Sequence, residues 1–213
     1  MRVHDRLTHA LETGLVRPAT QGETESIPVA EHLHALFAGR GLVRGRIVWC
    51  AGDAAMSLGL QVVARATQEG SWLAVIGLDD LGLQAAFEHG VALDRTVVVG
   101  PTRTSKEWIT AVGAAVEGFA VVLLGVPRGV TTGDAQRLAT RIQARRAIAV
   151  CVDSSRTATG SSVFSPDVVL RTATTEWHGI EHGAGHVRCR DLAVEVSGRR
   201  VARSTRHVLR HIG

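Results

Sequence analysis

The residues Gly52-Asp53-Ala54-Ala55-Met56-Ser57-Leu58-Gly59 stand where a chain of this layout would do chemistry on a phosphate. They follow an apolar run, Arg46–Cys50, and lead into a helical pattern near 56–69. Such a turn cradles phosphate when it reads G-x-x-x-x-G-K-[ST]. Backbone N–H groups then wrap the oxygens, the lysine neutralises charge and the hydroxyl holds a metal. Counted without a gap from Gly52, the second glycine is Ser57, the lysine is Leu58 and the hydroxyl is Gly59. Asp53 adds a negative charge where phosphates would lie. A helix N-terminus attracts anions on its own, but weakly. The expectation is a degenerate loop with no cofactor.

The only lysine, Lys106, lies in VVVGPTRTSKEW, at the P-loop lysine position counted from Gly100. Ser105 replaces the second glycine there and Glu107 the Ser/Thr, so the stretch reads as a helix start capped by Thr104 or Ser105. In WHGIEHGAGHVRC, His178, His182, His186 and Cys189 are of zinc-binding types. Two glycines flank Ala184 and no paired-cysteine motif accompanies them, so no metal is expected and the stretch reads as a turn between two late strands. The serines, histidines and aspartates include no G-x-S-x-G elbow. No catalytic residue is assigned, and the protein is not expected to be an enzyme.

The elements that must position these residues come from 213 residues that are 45% hydrophobic and 21% charged, a soluble globular composition. No apolar run reaches the roughly 18–20 residues of a membrane span. The three cysteines are scattered and odd in number, and the first residues have no apolar signal core. A cytoplasmic protein is expected. Net charge is +4, and seven arginines (Arg188, Arg190, Arg199, Arg200, Arg203, Arg206, Arg210) crowd the end against Asp191 and Glu195. A basic end of this kind faces solvent, an acidic partner or nucleic acid. Low aromatic content argues against base stacking on single strands.

Residues 3–15 form an amphipathic helix by spacing and 18–26 a polar linker, giving an appendage over 1–26 and a main domain over 27–213. Strands are predicted at Arg46–Cys50, Trp72–Ile76, Arg95–Val99, Phe119–Leu124 and Ala147–Val152, with helices near 56–69, 79–89, 104–117 and 132–146. The strands are continuous apolar runs, as in a mostly parallel sheet covered on both faces. DVVLR, HVRCR, LAVEVS and RVARSTRHVLR predict short antiparallel strands continuing that sheet, after a loop RTATGSSVFSP.

SIPVAEHLHALFAGRGLVRGRIVWCAG resembles the opening of the RecA core. LGLQVVARATQEGSWLAVIGLDD resembles its next helix and second strand, and HGVALDRTVVVGPTRTSKEWITAVGAAVEGFAVVLLGVP continues in register. The resemblance covers about residues 26–153. Aligned on the helix, the loop is about three residues short of its RecA counterpart. The resemblance puts the catalytic acid at Asp79 or Asp80 and the Walker B position at Gly125, and it implies lost ATP hydrolysis. The short SSRTATGSSVFSP replaces the DNA-binding loops. A spoiled nucleotide site with an Arg-rich end (about 188–213) is similar to the actinobacterial ImuA′ type, a mutasome accessory protein. That resemblance implies an SOS-induced, non-catalytic adaptor in mutagenic translesion synthesis. Its partners would be an ImuB-type inactive Y-family polymerase relative and an error-prone C-family polymerase, with RecA recombinase and weak DNA contact as further candidates. Two alternatives fit the same fold: a SulA-like cell-division inhibitor and a nucleotide-binding RecA-type ATPase. The arginine end, with the late strands 187–203, is the expected partner surface.

Overall fold

A computed structural model describes residues 26–153, 163–181 and 184–212. The predicted helix 3–15, most of the linker and most of the loop after Asp153 lie outside the described residues. Two short strands, β1 (Ser26–Pro28) and β2 (Gly41–Val43), pair antiparallel around a 3-10 helix, Glu31–Leu36. The main body then alternates β3 (Ile47–Gly52), α1 (Ala55–Gln68), β4 (Leu73–Ile76), α2 (Leu83–Glu88), β5 (Thr96–Val98), α3 (Ser105–Gly118), β6 (Val121–Gly125), α4 (Thr132–Arg145) and β7 (Ile148–Asp153). Three longer strands close the chain: β8 (Val168–Glu181), β9 (Ala184–Ser197) and β10 (Thr205–Ile212).

Strands β3 to β10 make one sheet in the order β10-β9-β8-β3-β7-β6-β4-β5. From β8 to β5 all neighbours are parallel, while β8, β9 and β10 run antiparallel. This is the fold class expected: a mostly parallel sheet between helices, with antiparallel strands at the C-terminal side. The central strands are continuous apolar runs because both faces are covered. Val48, Val150, Leu123 and Val75 point to the α1 side, and Trp49, Cys151, Leu124 and Ile76 to the α3–α4 side.

Helix α1 is almost wholly buried, since the β1–β2 layer covers its outer face with Leu33, Leu36, Phe37 and Leu42. Leu58, Val62 and Val63 have no exposed surface. Gly59 lets the helix sit directly on the sheet, because a Cβ there would lie 2.7 Å from Val152 Cγ2. The late strands differ from expectation. HVRCR and LAVEVS belong to one strand, and DVVLR runs on to Glu181. Register shifts near Glu176 and Ile180 break the alternation by which a strand shows itself in sequence.

One buried charge ties this wing to the parallel sheet. Asp167 is 2% exposed and immediately precedes β8. Its Oδ2 accepts the Ile47 N–H at 3.0 Å, and its Oδ1 accepts from Arg199 Nη2 at 2.9 Å and Arg46 Nη1 at 3.4 Å. The Arg200 Nε lies 3.7 Å from the same oxygen. The turn between β9 and β10 is thereby fastened to the start of β3. A buried carboxylate is tolerable only with such partners. Asp167→Ala would strand the Ile47 N–H and the arginines, lowering the free energy of unfolding in urea by about 2–4 kcal/mol.

Cys50 and Cys151 are fully buried on adjacent strands, β3 and β7. Burial pushes the Cys50 thiol up to about 12 and raises that of Cys151 as well. The thiolate is the reactive form. A thiol-reactive dye at neutral pH should therefore label Cys189 alone in the native protein, and all three cysteines only after denaturation.

Candidate functional site

The degenerate loop sits at the C-terminal ends of the parallel strands, where open α/β sheets bind ligands. Only Asp53 and Ala54 separate β3 from α1, too short a path to wrap a phosphate. What would be the cradle is occupied by β8. The Ala54 N–H donates to Thr172 Oγ1 at 3.0 Å, and the Thr172 hydroxyl donates to the Ala51 carbonyl at 3.0 Å. Gly52 has φ of 102° and faces the Thr172 carbonyl, which a Cβ would meet at 2.1 Å. This glycine is required by the close approach of β8 and by its backbone conformation. Phosphate plays no part in that requirement.

Asp53 points to the same strand, its Oδ2 accepting the Thr174 N–H at 2.7 Å. Partial burial pushes the Asp53 carboxyl up, but bonds from Thr174 and Thr172 and the charge of Arg190 outweigh it. The net direction is down. Leu58, in the ungapped lysine position, is buried in the core.

Arg190 supplies a cation at the start of α1. It extends from β9, donates through Nη2 to Ser57 Oγ at 2.9 Å, and stacks with its guanidinium carbon 5.1 Å from the Trp177 ring centre. One turn along α1, the buried Gln61 is 3.1 Å from His32 Nε2 through its Oε1, and its Nε2 is 3.4 Å from His89 Nδ1. Burial and the Arg190 charge lower the His89 pKa, against a smaller opposing effect of Glu88. His89 is thus biased to be neutral, as a member of a packed polar chain.

The Walker B position is closed too. A Cβ on Gly125, in the Walker B position, would meet the Gly77 carbonyl at 2.0 Å, so no acid fits there without backbone movement. Asp79 and Asp80 are exposed on the turn after β4. Lys106 is exposed in the first turn of α3, where Thr104 Oγ1 accepts the Glu107 N–H at 3.2 Å and Glu107 Oε2 accepts the Arg103 N–H at 2.8 Å. These two bonds satisfy donors at the helix start, the role the sequence assigned to this stretch.

The seven C-terminal arginines do not form one surface. Arg190 is held at α1, and Arg199 and Arg200 at Asp167. Arg188, Arg203, Arg206 and Arg210 are exposed and make no ion pair among the described residues. Arg206 and Val208 share the face of β10 opposite to the buried Leu209, and Val208 is 55% exposed. β10 is also the outermost strand, with one backbone edge unpaired among the described residues. Sequence reasoning missed Thr172, Asp167 and the internal role of Arg190. His182 lies outside the described residues, while His178 and Cys189 are cross-strand partners.

The model of the MT3502 N-terminal domain family matches residues 35–157. No curated protein matches the sequence. Among solved structures, the crystal structure of the RadB recombinase is similar, with a TM-score of 0.60 and 15% sequence identity over 84% of this chain and 92% of that one. The likeness is one of fold, and it is that of the RecA type. No helix among the described residues is long and apolar enough to cross a membrane.

Two substitutions test the closed loop. Thr172→Val leaves the Ala54 N–H and Ala51 carbonyl without their buried partner, and chemical denaturation should show a loss of about 1–3 kcal/mol. Asp53 has a depressed folded pKa, so it adds stability above the pKa of an unfolded aspartate and loses it as pH falls through the lower folded value. The destabilisation by Asp53→Asn should therefore be present at pH 7 and shrink on titration towards pH 3.

Proposed function

The chain belongs to the MT3502 N-terminal domain family and folds as RecA-type domains do, and from that premise we propose that it is a non-catalytic adaptor. Its task is SOS-induced mutagenic translesion synthesis. It binds an ImuB-type polymerase relative and through it supports an error-prone C-family polymerase, as its resemblance to ImuA′ proteins implies. One observation carries the reading most: the phosphate cradle is filled by the protein's own Thr172, with Asp53 bonded to the same strand. A fold retained with its reaction site closed is kept for its surfaces. The second support is the outer edge of β10 with Arg206, Val208 and Arg210, unpaired among the described residues and suited to an acidic extended segment.

Partner binding was expected to map to the arginine end with the late strands 187–203, much of which a cut near Ser197 would remove. The fold argues for a narrower change. Such a cut deletes Arg199 and Arg200 from the buried Asp167 and strips β10 from β9, damaging the domain itself. Replacing the exposed arginines, as in R206E with R210E, leaves those contacts intact. The double variant should keep its circular dichroism spectrum and lose at least tenfold in affinity for the ImuB-type partner, while K106E binds normally. Unchanged affinity of R206E/R210E would remove β10 from the interface. Calorimetry with magnesium ATP should detect no binding at micromolar nucleotide, and turnover of ATP would end the adaptor reading.

A further inference from the structure

Strands β8 and β9 leave the sheet together as a ribbon. β3 accompanies β8 only to Thr172, and β10 accompanies β9 only to Arg190. Past those points the two strands pair with each other alone, out to Glu181 and Ala184. At the base of this ribbon Glu176 stands opposite Asp191, Trp177 opposite Arg190 and His178 opposite Cys189. Alternation puts Trp177 and Arg190 on the face towards α1. It puts Glu176, His178, Asp191 and Cys189 on the other face.

On that second face a carboxylate oxygen of Glu176, an imidazole nitrogen of His178 and a carboxylate oxygen of Asp191 lie within 4.8 Å of one another. His178 Nε2 is 3.1 Å from Asp191 Oδ1. The register shift between Thr174 and Glu176 creates the convergence, since it brings Glu176 directly across from Asp191. The Asp191 side chain is only 10% exposed, whereas Glu176 is open to solvent.

We propose that Glu176, His178 and Asp191 bind a divalent transition-metal ion, of which zinc is the type. An imidazole nitrogen with two carboxylate oxygens suits a borderline cation, whereas calcium and magnesium take oxygen alone. In a tetrahedral site with bonds of about 2.0–2.1 Å, ligand atoms stand about 3.3 Å apart; the His178–Asp191 pair at 3.1 Å is already near that spacing, and the other pairs, all within 4.8 Å, would close towards it. Two carboxylates facing one another across a ladder repel, and a dication between them reverses that term. The ion would also brace the fold where it needs it, because a two-stranded ribbon alone is marginally stable in water. Three protein ligands leave one position for water. Of His178, His182, His186 and Cys189, the residues of zinc-binding type for which the sequence led to no expected metal, only His178 belongs to this site.

The test uses the full chain, freed of metal by a chelator. Zinc competition against a chromophoric chelator should give one ion per chain with micromolar or tighter affinity. Cobalt should give the visible absorption of a low-symmetry four-coordinate site. The exposed ligand variant E176Q, which leaves the core untouched, should weaken binding at least tenfold, as should H178A. H182A and H186A should bind as the parent does. Zinc should raise the melting temperature of the parent and leave that of E176Q unmoved. The proposal fails if the parent binds zinc no better than the E176Q/H178A double variant, or if H182A or H186A abolishes binding.

Discussion

Strand β8 lies parallel to β3 and is fastened to it by side chains at both ends as well as by the ladder between them. At the start, the Asp167 carboxylate takes the Ile47 N–H and gathers Arg46, Arg199 and Arg200. At the far end, the Thr172 hydroxyl bridges Ala51 and Ala54 against the bare backbone of Gly52. Both are buried polar contacts, which cost much if broken because no water can replace the missing partner. They fix where the antiparallel wing sits on the parallel sheet, and hence where β9, β10 and their arginines lie.

The same fastening decides the fate of the loop. A phosphate cradle needs free N–H groups and space at the end of the first core strand. Here the Ala54 N–H is spent on Thr172, and the space is held by the β8 backbone. Loss of the lysine and closure of the cradle are therefore two independent barriers to nucleotide binding. Gly125 pressed against the Gly77 carbonyl makes a third, since it excludes any acid from the Walker B position.

The parallel half was legible in the sequence because its physics is local. Runs such as IVWC, LAVI and VVLL have the length and composition of strands buried on both faces, and Thr104 with Glu107 announces a helix start by spacing alone. The antiparallel half was less so. A register shift at Glu176 and the polar residues of the ribbon hide the strands, and HVRCR read as separate from LAVEVS. The decisive side chains were harder still. Thr172 meets a loop 118 residues away in sequence, and Arg190 a serine 133 residues away. Nothing in DVVLRTAT or RCRD marks these residues as different from their neighbours. Arginines that look like one basic tail are divided by strand alternation, some into the body and some to solvent.

The stacking of Arg190 between Trp177 and Ser57 carries a mechanical consequence. Arg190 belongs to the ribbon strand β9 but is held by the N-terminal turn of α1 as well. Twisting of the ribbon would therefore strain the Arg190–Ser57 hydrogen bond, and a change at the helix start would remove a support from the base of the ribbon. Arg190 is thus a physical link between the protruding strands and the start of α1.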